Sequence, residues 1–127
     1  SNAILLADDE GRYTDLNQAA ADMLGYSMEE LKSKNISDLV VSKEFFQSKW
    51  KGFLKNEKQD GIVTLQRKDG RKIVASYKAV ANVIPGCHLS VLTDVTQTTL
   101  NFRKEELQKE VYKVGSEPSQ KCRIHRN

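Results

Sequence analysis

The sequence predicts an α+β fold, in which short helices cover one face of a five-stranded antiparallel sheet and a C-terminal exit helix follows. Three observations carry this prediction. Two alternating segments joined by turn residues come first, a block of short helical patterns comes next, and three further alternating segments precede a charged helical segment. Because short turns join strands in antiparallel order, we expect the separate block of helices to cover one face of a single sheet. A small interior is then expected between the sheet and the helices.

The first hairpin is predicted over residues 4–16. Ile4–Ala7 is a short apolar strand, Asp8–Gly11 supplies turn residues, and Tyr13–Leu16 alternates as the returning strand. Residues 1–3, Ser-Asn-Ala, resemble the remnant of a cleaved expression tag, so they are left out of the predicted fold.

The stretch NQAAADMLGYSMEEL, residues 17–31, predicts a helix that stops and starts again. Asn17 suits an N-cap, because its side-chain oxygen can accept a free backbone N–H of the first turn. Gly25 suits a left-handed helix end, and Ser27 with Glu30 forms the pattern of a capping box. Two short helices can bend around a pocket, whereas one long helix cannot.

The stretch SKEFFQSKWKGFLKN predicts an amphipathic helix, with lysines mostly opposite an apolar stripe. We expect Asp60–Gly61 to end this helix. The stripe consists of Phe46, Trp50, Phe53 and Leu54.

Three strands are predicted next. An Asp-Gly pair within Lys68–Arg71 is a strong hairpin signal, and Pro85–Gly86 marks the turn before the last strand, residues 87–96. Alternation in the second arm of the hairpin predicts one face made of Ile73, Ala75, Tyr77 and Ala79.

The exit helix is predicted over residues 98–114. Leu100, Leu107 and Val114 recur at seven-residue spacing, which is the start of a coiled-coil seam, with Arg103–Lys104 interrupting it. Residues 115–127 are polar and contain Gly and Pro, which predicts a flexible tail or linker.

Composition fits one domain with a short extension. The chain has 127 residues, of which 39% are hydrophobic, and a formal charge of +3. No apolar run approaches the ~20 residues that a membrane-spanning helix needs, and the acidic start is unlike a signal peptide. Two cysteines form no disulfide framework, which predicts a reducing, cytoplasmic location.

The chain resembles the PAS domain family over residues 4–97. The resemblance rests on DEGRYTDLNQAAADMLGYSMEEL, on FLKNEKQDGIVTLQRKDGRKI, on the closing strand, and on DVT at 94–96. It implies a sensory module of a bacterial signal-transduction protein, such as a sensor histidine kinase, a cyclic-dinucleotide enzyme or a transcription regulator. It also implies an output domain in the full-length protein, and a role for Asp94 and Thr96 in transmitting the signal to the exit helix.

Catalysis and metal binding are not predicted. The sequence contains no nucleophile elbow, phosphate-binding glycine loop or kinase signature. Cys87 and His88 are adjacent on a strand, where successive side chains point to opposite faces, and Cys122 and His125 lie in the predicted tail. We therefore expect no enzymatic activity and no metal site in this chain.

The resemblance also bears on cofactors. Haem-binding relatives present a histidine from the helix before the third strand, and FFQSKWKGFLKN has none, so His88 would have to serve instead. Light-sensing relatives carry a reactive cysteine that SKNISDLVV lacks. Haem and covalent flavin are disfavoured, and the identity of any ligand stays open.

A non-catalytic pocket and a filled core both fit the apolar residues. Tyr77 and Trp50 combine an apolar body with a hydrogen-bonding tip, which suits the orientation of a small organic ligand. The predicted lining consists of Leu24, Ile36, Leu39, Phe46, Trp50, Phe53, Leu65, Ile73, Ala75, Tyr77, Leu89 and Val91.

The sequence leaves three functions open. The first is a sensory module whose ligand changes how the exit helices of a homodimer pack. The second is a ligand-free dimerisation module that uses an exposed sheet face, including Leu92 and Val95, together with the exit helix. The third is nucleic-acid binding through the lysines of residues 43–58, which is disfavoured because aromatic platforms and a DNA-binding motif are missing.

Overall fold

A computed structural model of the chain describes residues 2–115, and side chains for residues 2–111. Its five strands form one antiparallel sheet in the order β2-β1-β5-β4-β3. The predicted fold class is therefore confirmed. The elements are β1 (Ala3–Ala7), β2 (Tyr13–Leu16), α1 (Gln18–Leu24), α2 (Met28–Lys32), α3 (Ile36–Leu39), α4 (Lys43–Asn56), β3 (Lys58–Gln66), β4 (Lys72–Ile84), β5 (Cys87–Asp94) and α5 (Thr96–Gly115).

The helix ends follow the capping chemistry that the sequence predicts. The Asn17 side chain accepts a hydrogen bond from the N–H of Ala20, and Gly25 ends α1 with a φ of 76°. Ser27 and Glu30 form a complete capping box at the start of α2. These short-range bonds fix the break between α1 and α2, so the chain turns sharply at that point.

Helix α3 is not among the elements that the sequence analysis predicts, although its capping signal is present. Asn35 accepts a hydrogen bond from the N–H of Ser37, and the Asp38 carboxylate accepts one from the N–H of Asn35. The Asn35 side chain also donates to the carbonyl of Glu10, at 2.7 Å. One asparagine thus caps a single helical turn and ties it to the loop between β1 and β2.

The first strand begins one residue earlier than predicted. Ala3, left out of the predicted fold, is fully buried in β1 and pairs with Leu92. Asn2 accepts a hydrogen bond from the hydroxyl of Thr93. The small side chain of Ala3 fits the crowded centre of the sheet, so a boundary at Ile4 is wrong.

The end of α4 also differs from the prediction. Glu57 adopts a left-handed φ of 68° and ends the helix at Asn56. Asp60 and Gly61 lie within β3, where Gly61 pairs with Tyr77. The expected helix stop at Asp60–Gly61 is therefore wrong, and Gly61 instead allows close packing against Tyr77.

The core lies between the inner face of the sheet and α1–α3. Full burial of a large aliphatic side chain contributes about 1.5–3 kcal/mol, so a few such residues account for much of the stability. The largest fully buried side chains are Leu5, Leu24, Leu31 and Leu39.

Strand β5 presents the opposite face to the one predicted. His88 and Leu92 are buried, and Leu92 is only 6% exposed. Leu92 therefore cannot belong to an exposed dimerisation face. The register explains this, because Leu92 pairs with the buried Ala3 while Val91 pairs with the exposed Ile4.

The chain divides into two units after Val95. The second unit contains α5, on which Leu100, Leu107 and Val111 are 52%, 67% and 62% exposed. Residues 116–127, the larger part of the predicted tail, lie outside the described residues. None of the described helices is long and apolar enough to cross a membrane.

Candidate functional site

A cavity of about 110 Å³ lies between α4 and the inner face of the sheet. Seven of the predicted lining residues border it, and aromatic side chains make up much of its wall. These seven are Ile36, Phe46, Trp50, Phe53, Leu65, Tyr77 and Leu89.

Five predicted lining residues do not border the cavity. Leu24, Leu39, Ile73 and Ala75 are almost fully buried within the packed core under the other helices. Val91 lies on the outer face of β5, between two inward-facing neighbours. Periodicity identified apolar inward positions, but it could not separate those that are packed from those that leave space.

Part of the wall consists of residues that the sequence pattern does not identify. Inward positions of β3 and β5 contribute Gln59, Val63 and Ser90, and the first hairpin contributes Tyr13. Once the register of β5 is known, alternation along the strand would have identified Ser90 and His88 as lining residues.

His88 is a buried histidine that joins three segments of the chain. Its Nδ1 accepts a hydrogen bond from the backbone N–H of Asn82, at 2.9 Å. Its Nε2 lies 2.7 Å from an Asp9 carboxylate oxygen. Because Nδ1 acts as an acceptor, the proton belongs on Nε2, which donates to Asp9. The ring is therefore a neutral imidazole with both nitrogens engaged.

Asp9 also fixes one side of α4. The indole N–H of Trp50 donates to the Asp9 carbonyl at 3.1 Å. The rings of Trp50 and Phe53 meet the His88 ring edge to face, with centroids 5.8 and 5.9 Å apart. The loop after β1 thus holds both the histidine and the helix that covers it.

A polar pair lies on the other side of the cavity. Gln59 Nε2 donates to the hydroxyl oxygen of Tyr77 at 2.9 Å. The Tyr77 ring lies over Gly61, where a Cβ atom would be only 3.2 Å from the hydroxyl oxygen. The absence of a side chain at Gly61 therefore allows Tyr77 to reach Gln59.

Tyr13 brings a second phenol to the cavity wall. Tyr13 is only 5% exposed, and no hydrogen bond joins its hydroxyl to another residue in the part of the chain whose side chains are described, residues 2–111. Burial, and secondarily the negative charge of Asp38, raises the pKa of Tyr13 far above its ordinary value. The hydroxyl is therefore protonated at neutral pH and able to donate.

A groove between α4 and β3 adjoins the cavity. Gly52 on α4 and Gly61 on β3 both border this groove. Phe45, Lys49, Gln59 and Tyr77 border both the groove and the cavity. The polar pair therefore lies where the cavity meets the surface.

Haem and metal ions do not fit the described part of the site. No group of three or more potential metal ligands occurs among the described residues, and Cys122 and His125 lie outside them. His88 could bind haem iron only by giving up its bond to Asn82 or to Asp9. A dry cavity of about 150 Å³ holds benzene, so the cavity of about 110 Å³ is by itself smaller than a flavin ring system.

The two residues assigned to signal transmission flank the junction of the units. Asp94 is the last residue of β5, where it pairs with Ala75, and Thr96 is the first residue of α5. Between them, the N–H of Val95 donates to the carbonyl of Val74. Their position is that of the predicted junction, and their role in signalling stays a prediction.

Comparison with known proteins agrees with this architecture. The PAS domain of a protein from Colwellia psychrerythraea is 24% identical, with a TM-score of 0.68 over 76% of this chain and 87% of that one. A domain of a sensory box sensor histidine kinase/response regulator from Geobacter sulfurreducens is 20% identical, with a TM-score of 0.67 over 73% and 82%.

A third similar structure is the PAS domain of a LuxR-family transcriptional regulator from Burkholderia thailandensis, determined in complex with ethanol. It is 13% identical, with a TM-score of 0.63 over 74% of this chain and 88% of that one. No curated protein sequence matches the chain. The family profile of the PAS domain matches residues 1–97, most of the chain. The chain therefore belongs to the PAS domain family.

Proposed function

We propose that the chain is a non-catalytic, cytoplasmic sensory module that binds a small ligand in the cavity under α4. PAS domains are modules of signalling proteins, and membership of that family sets the broad function. The observation that carries the finer proposal is the cavity itself, because native cores are usually packed without such space. An aromatic wall with a few polar groups is the usual composition of a small-molecule site.

The ethanol complex of the Burkholderia thailandensis PAS domain supports this proposal. It is a case in which a domain of this fold binds a molecule of only three non-hydrogen atoms. At 13% identity the likeness concerns the fold alone. A ligand of similar size would fit a cavity of about 110 Å³.

Signal transmission would run along β5 into α5. His88, Ser90 and Leu92 border the cavity, and β5 ends at Asp94, two residues before the start of α5. A ligand changes the output only if it binds two arrangements of the domain with different affinity. We propose residues 98–114 as the signalling helix, leading to an output domain of the full-length protein.

Native mass spectrometry of freshly purified protein, followed by a thermal-shift screen of small organic compounds, tests this function. A ligand present at 100 times its Kd should stabilise the fold by about 2.7 kcal/mol, which raises Tm by about 10 °C or more in a domain of this size. Ala79 borders the cavity, so Ala79→Leu places extra carbon atoms where the ligand would lie. This variant should therefore show no ligand-induced rise in Tm.

Val80→Leu is the matched control, because Val80 is the neighbour of Ala79 on the outer face of β4 and does not border the cavity. It should retain the ligand-induced shift of the wild type. A screen in which no compound stabilises the wild type, with no co-purified ligand detected, would contradict ligand sensing.

Dimerisation through α5, without any ligand, is the second candidate function. The exposed stripe of Leu100, Leu107 and Val111 favours it, because apolar residues at coiled-coil spacing gain stability when a second helix covers them. Leu107→Lys should convert a homodimer to a monomer in analytical ultracentrifugation. Wild-type protein that is monomeric at 100 μM would rule this candidate out.

A further inference from the structure

We infer that the cavity selects a small, uncharged organic molecule with one hydroxyl or carbonyl group, and that the Gln59–Tyr77 pair holds this group. The inference rests on the proposed ligand-sensing function and specifies its ligand. It follows from the size of the cavity, the absence of buried charge among its lining residues, and the unused hydrogen-bonding capacity of the pair.

The cavity itself has room for only a few atoms of a ligand. An engineered cavity of about 150 Å³ holds benzene, which has six non-hydrogen atoms. In proportion, a cavity of about 110 Å³ takes about four or five non-hydrogen atoms. Short-chain alcohols and ketones have this size, whereas nucleotides, flavins and haem are far larger.

The lining residues favour a neutral ligand. Lys49 is the one charged lining residue within the described chain, and it is exposed at the groove. His88 is neutral, and both of its ring nitrogens are already engaged. A charged ligand would lose its hydration shell in this cavity without gaining a buried partner of opposite charge, which is strongly unfavourable.

The pair offers one donor and one acceptor. Tyr77 accepts a hydrogen bond from Gln59 Nε2, so the Tyr77 O–H remains able to donate. The side-chain oxygen of Gln59 has no hydrogen-bond donor within the described residues and remains able to accept. A ligand hydroxyl would satisfy both groups, and a ligand carbonyl would satisfy the tyrosine donor.

Tyr13 supplies an independent reason for a polar group in the ligand. Its buried hydroxyl lacks a protein partner among the described residues, and an unpaired buried hydroxyl is destabilising. A purely apolar occupant would leave the Tyr13 hydroxyl without a partner and the Tyr77 O–H without an acceptor. A molecule with an oxygen acceptor, alone or with a bound water, relieves at least one of them.

Three probes of equal size but different charge test the inference: 1-butanol, butylamine and propionate, each with five non-hydrogen atoms. Each is titrated into the 127-residue chain at pH 7 while backbone amide NMR signals are recorded. We expect 1-butanol to shift the signals of Gly61 and Tyr77 in a saturable way. Butylammonium and propionate should bind at least about tenfold more weakly, because each carries a charge into the cavity.

The role of the pair is tested with Tyr77→Phe, which removes the hydroxyl alone. Loss of one hydrogen bond should weaken 1-butanol binding by about fivefold to tenfold. Tyr26→Phe is the matched control, because Tyr26 packs against the core outside the cavity lining. Gln59→Leu is a second variant that removes the acceptor and should also weaken 1-butanol binding.

The outcomes separate the inference from the proposed function. Propionate or butylammonium binding as tightly as 1-butanol overturns the inference and leaves a ligand sensor of another specificity. Unchanged 1-butanol affinity in both Tyr77→Phe and Gln59→Leu also overturns it. If none of the three probes binds, the inference fails, and the thermal-shift screen decides ligand sensing independently.

Discussion

Replacing Gly61 with alanine should move Tyr77 and weaken the polar pair while leaving the fold intact. An added Cβ would lie 3.2 Å from the Tyr77 hydroxyl oxygen and 3.3 Å from Cε1. Normal contacts between non-bonded carbon atoms are about 3.5–4.0 Å. The ring must therefore shift by a few tenths of an ångström, away from the position in which it accepts the hydrogen bond from Gln59.

Two opposing effects set the change in stability. Alanine in place of glycine within a strand contributes about 0.5–1 kcal/mol, and Gly61 does not have the positive φ that would make alanine strained. A ring shift of a few tenths of an ångström costs less than the about 0.5–1.5 kcal/mol of a side chain forced about 30° away from its rotamer. The free energy of unfolding should therefore change by no more than about 1 kcal/mol, whereas 1-butanol binding weakens toward the Tyr77→Phe level.

Gly52→Ala is the matched control on the opposite side of the groove. Its Cβ would meet no atom within 4 Å, so it should stabilise α4 by about 0.8–1 kcal/mol without changing 1-butanol affinity. Urea unfolding followed by Trp50 fluorescence gives the stability, and the NMR titration gives the affinity. Equal 1-butanol affinity in the two alanine variants would refute the role assigned to the Tyr77 ring.

Three further predictions concern stability. The bonds of Glu30 to Lys68 and to the Ser27 N–H lower the pKa of Glu30 from its ordinary 4.5 to about 2. The contribution of Glu30 to stability is therefore present above about pH 4.5 and lost as the pH falls to about 2. In Glu30→Gln the urea-unfolding midpoint should depend less on pH across that window than in the wild type. The same pH dependence in both proteins would contradict this. Asn17→Ala should lower the free energy of unfolding by about 2 kcal/mol, because it removes the helix cap and the hydrogen bond to β1. Asn17→Asp should lower it clearly less, because aspartate can still accept both hydrogen bonds. Equal losses in the two variants, measured by urea unfolding, would show that these bonds are unimportant. In thermal unfolding, Phe53→Ala should lower the stability by about 3–5 kcal/mol and Phe45→Ala by under about 1 kcal/mol. The reason is that Phe53 is 6% exposed and Phe45 is 36% exposed. Similar losses of stability in the two variants would contradict the placement of α4.

The sequence alone determined the local structure. Asn17, Gly25 and the Ser27–Glu30 box fix where α1 and α2 begin and end, because capping bonds join residues only two to four positions apart. The Asp69–Gly70 turn likewise fixes the β3–β4 hairpin. Such short-range bonds give the same signal in any protein, and therefore the element order and the family could be recognised.

Part of the candidate site was also predictable. The apolar stripe of α4 and the alternation of β4 identified Phe46, Trp50, Phe53 and Tyr77, which all border the cavity. Their periodicity shows which side of an element faces inward.

Only the tertiary structure decided which inward positions leave a space and which fill it. Both faces of β5 carry apolar residues, so its orientation is set by pairing with β1, more than eighty residues away, which turns His88 inward rather than Val91. The same long-range packing places Gln59 beside Tyr77 over Gly61 and leaves a cavity under α4. Shape complementarity between distant segments has no periodic trace in the sequence, and this is the physical reason that the cavity and its polar pair could be found only in three dimensions.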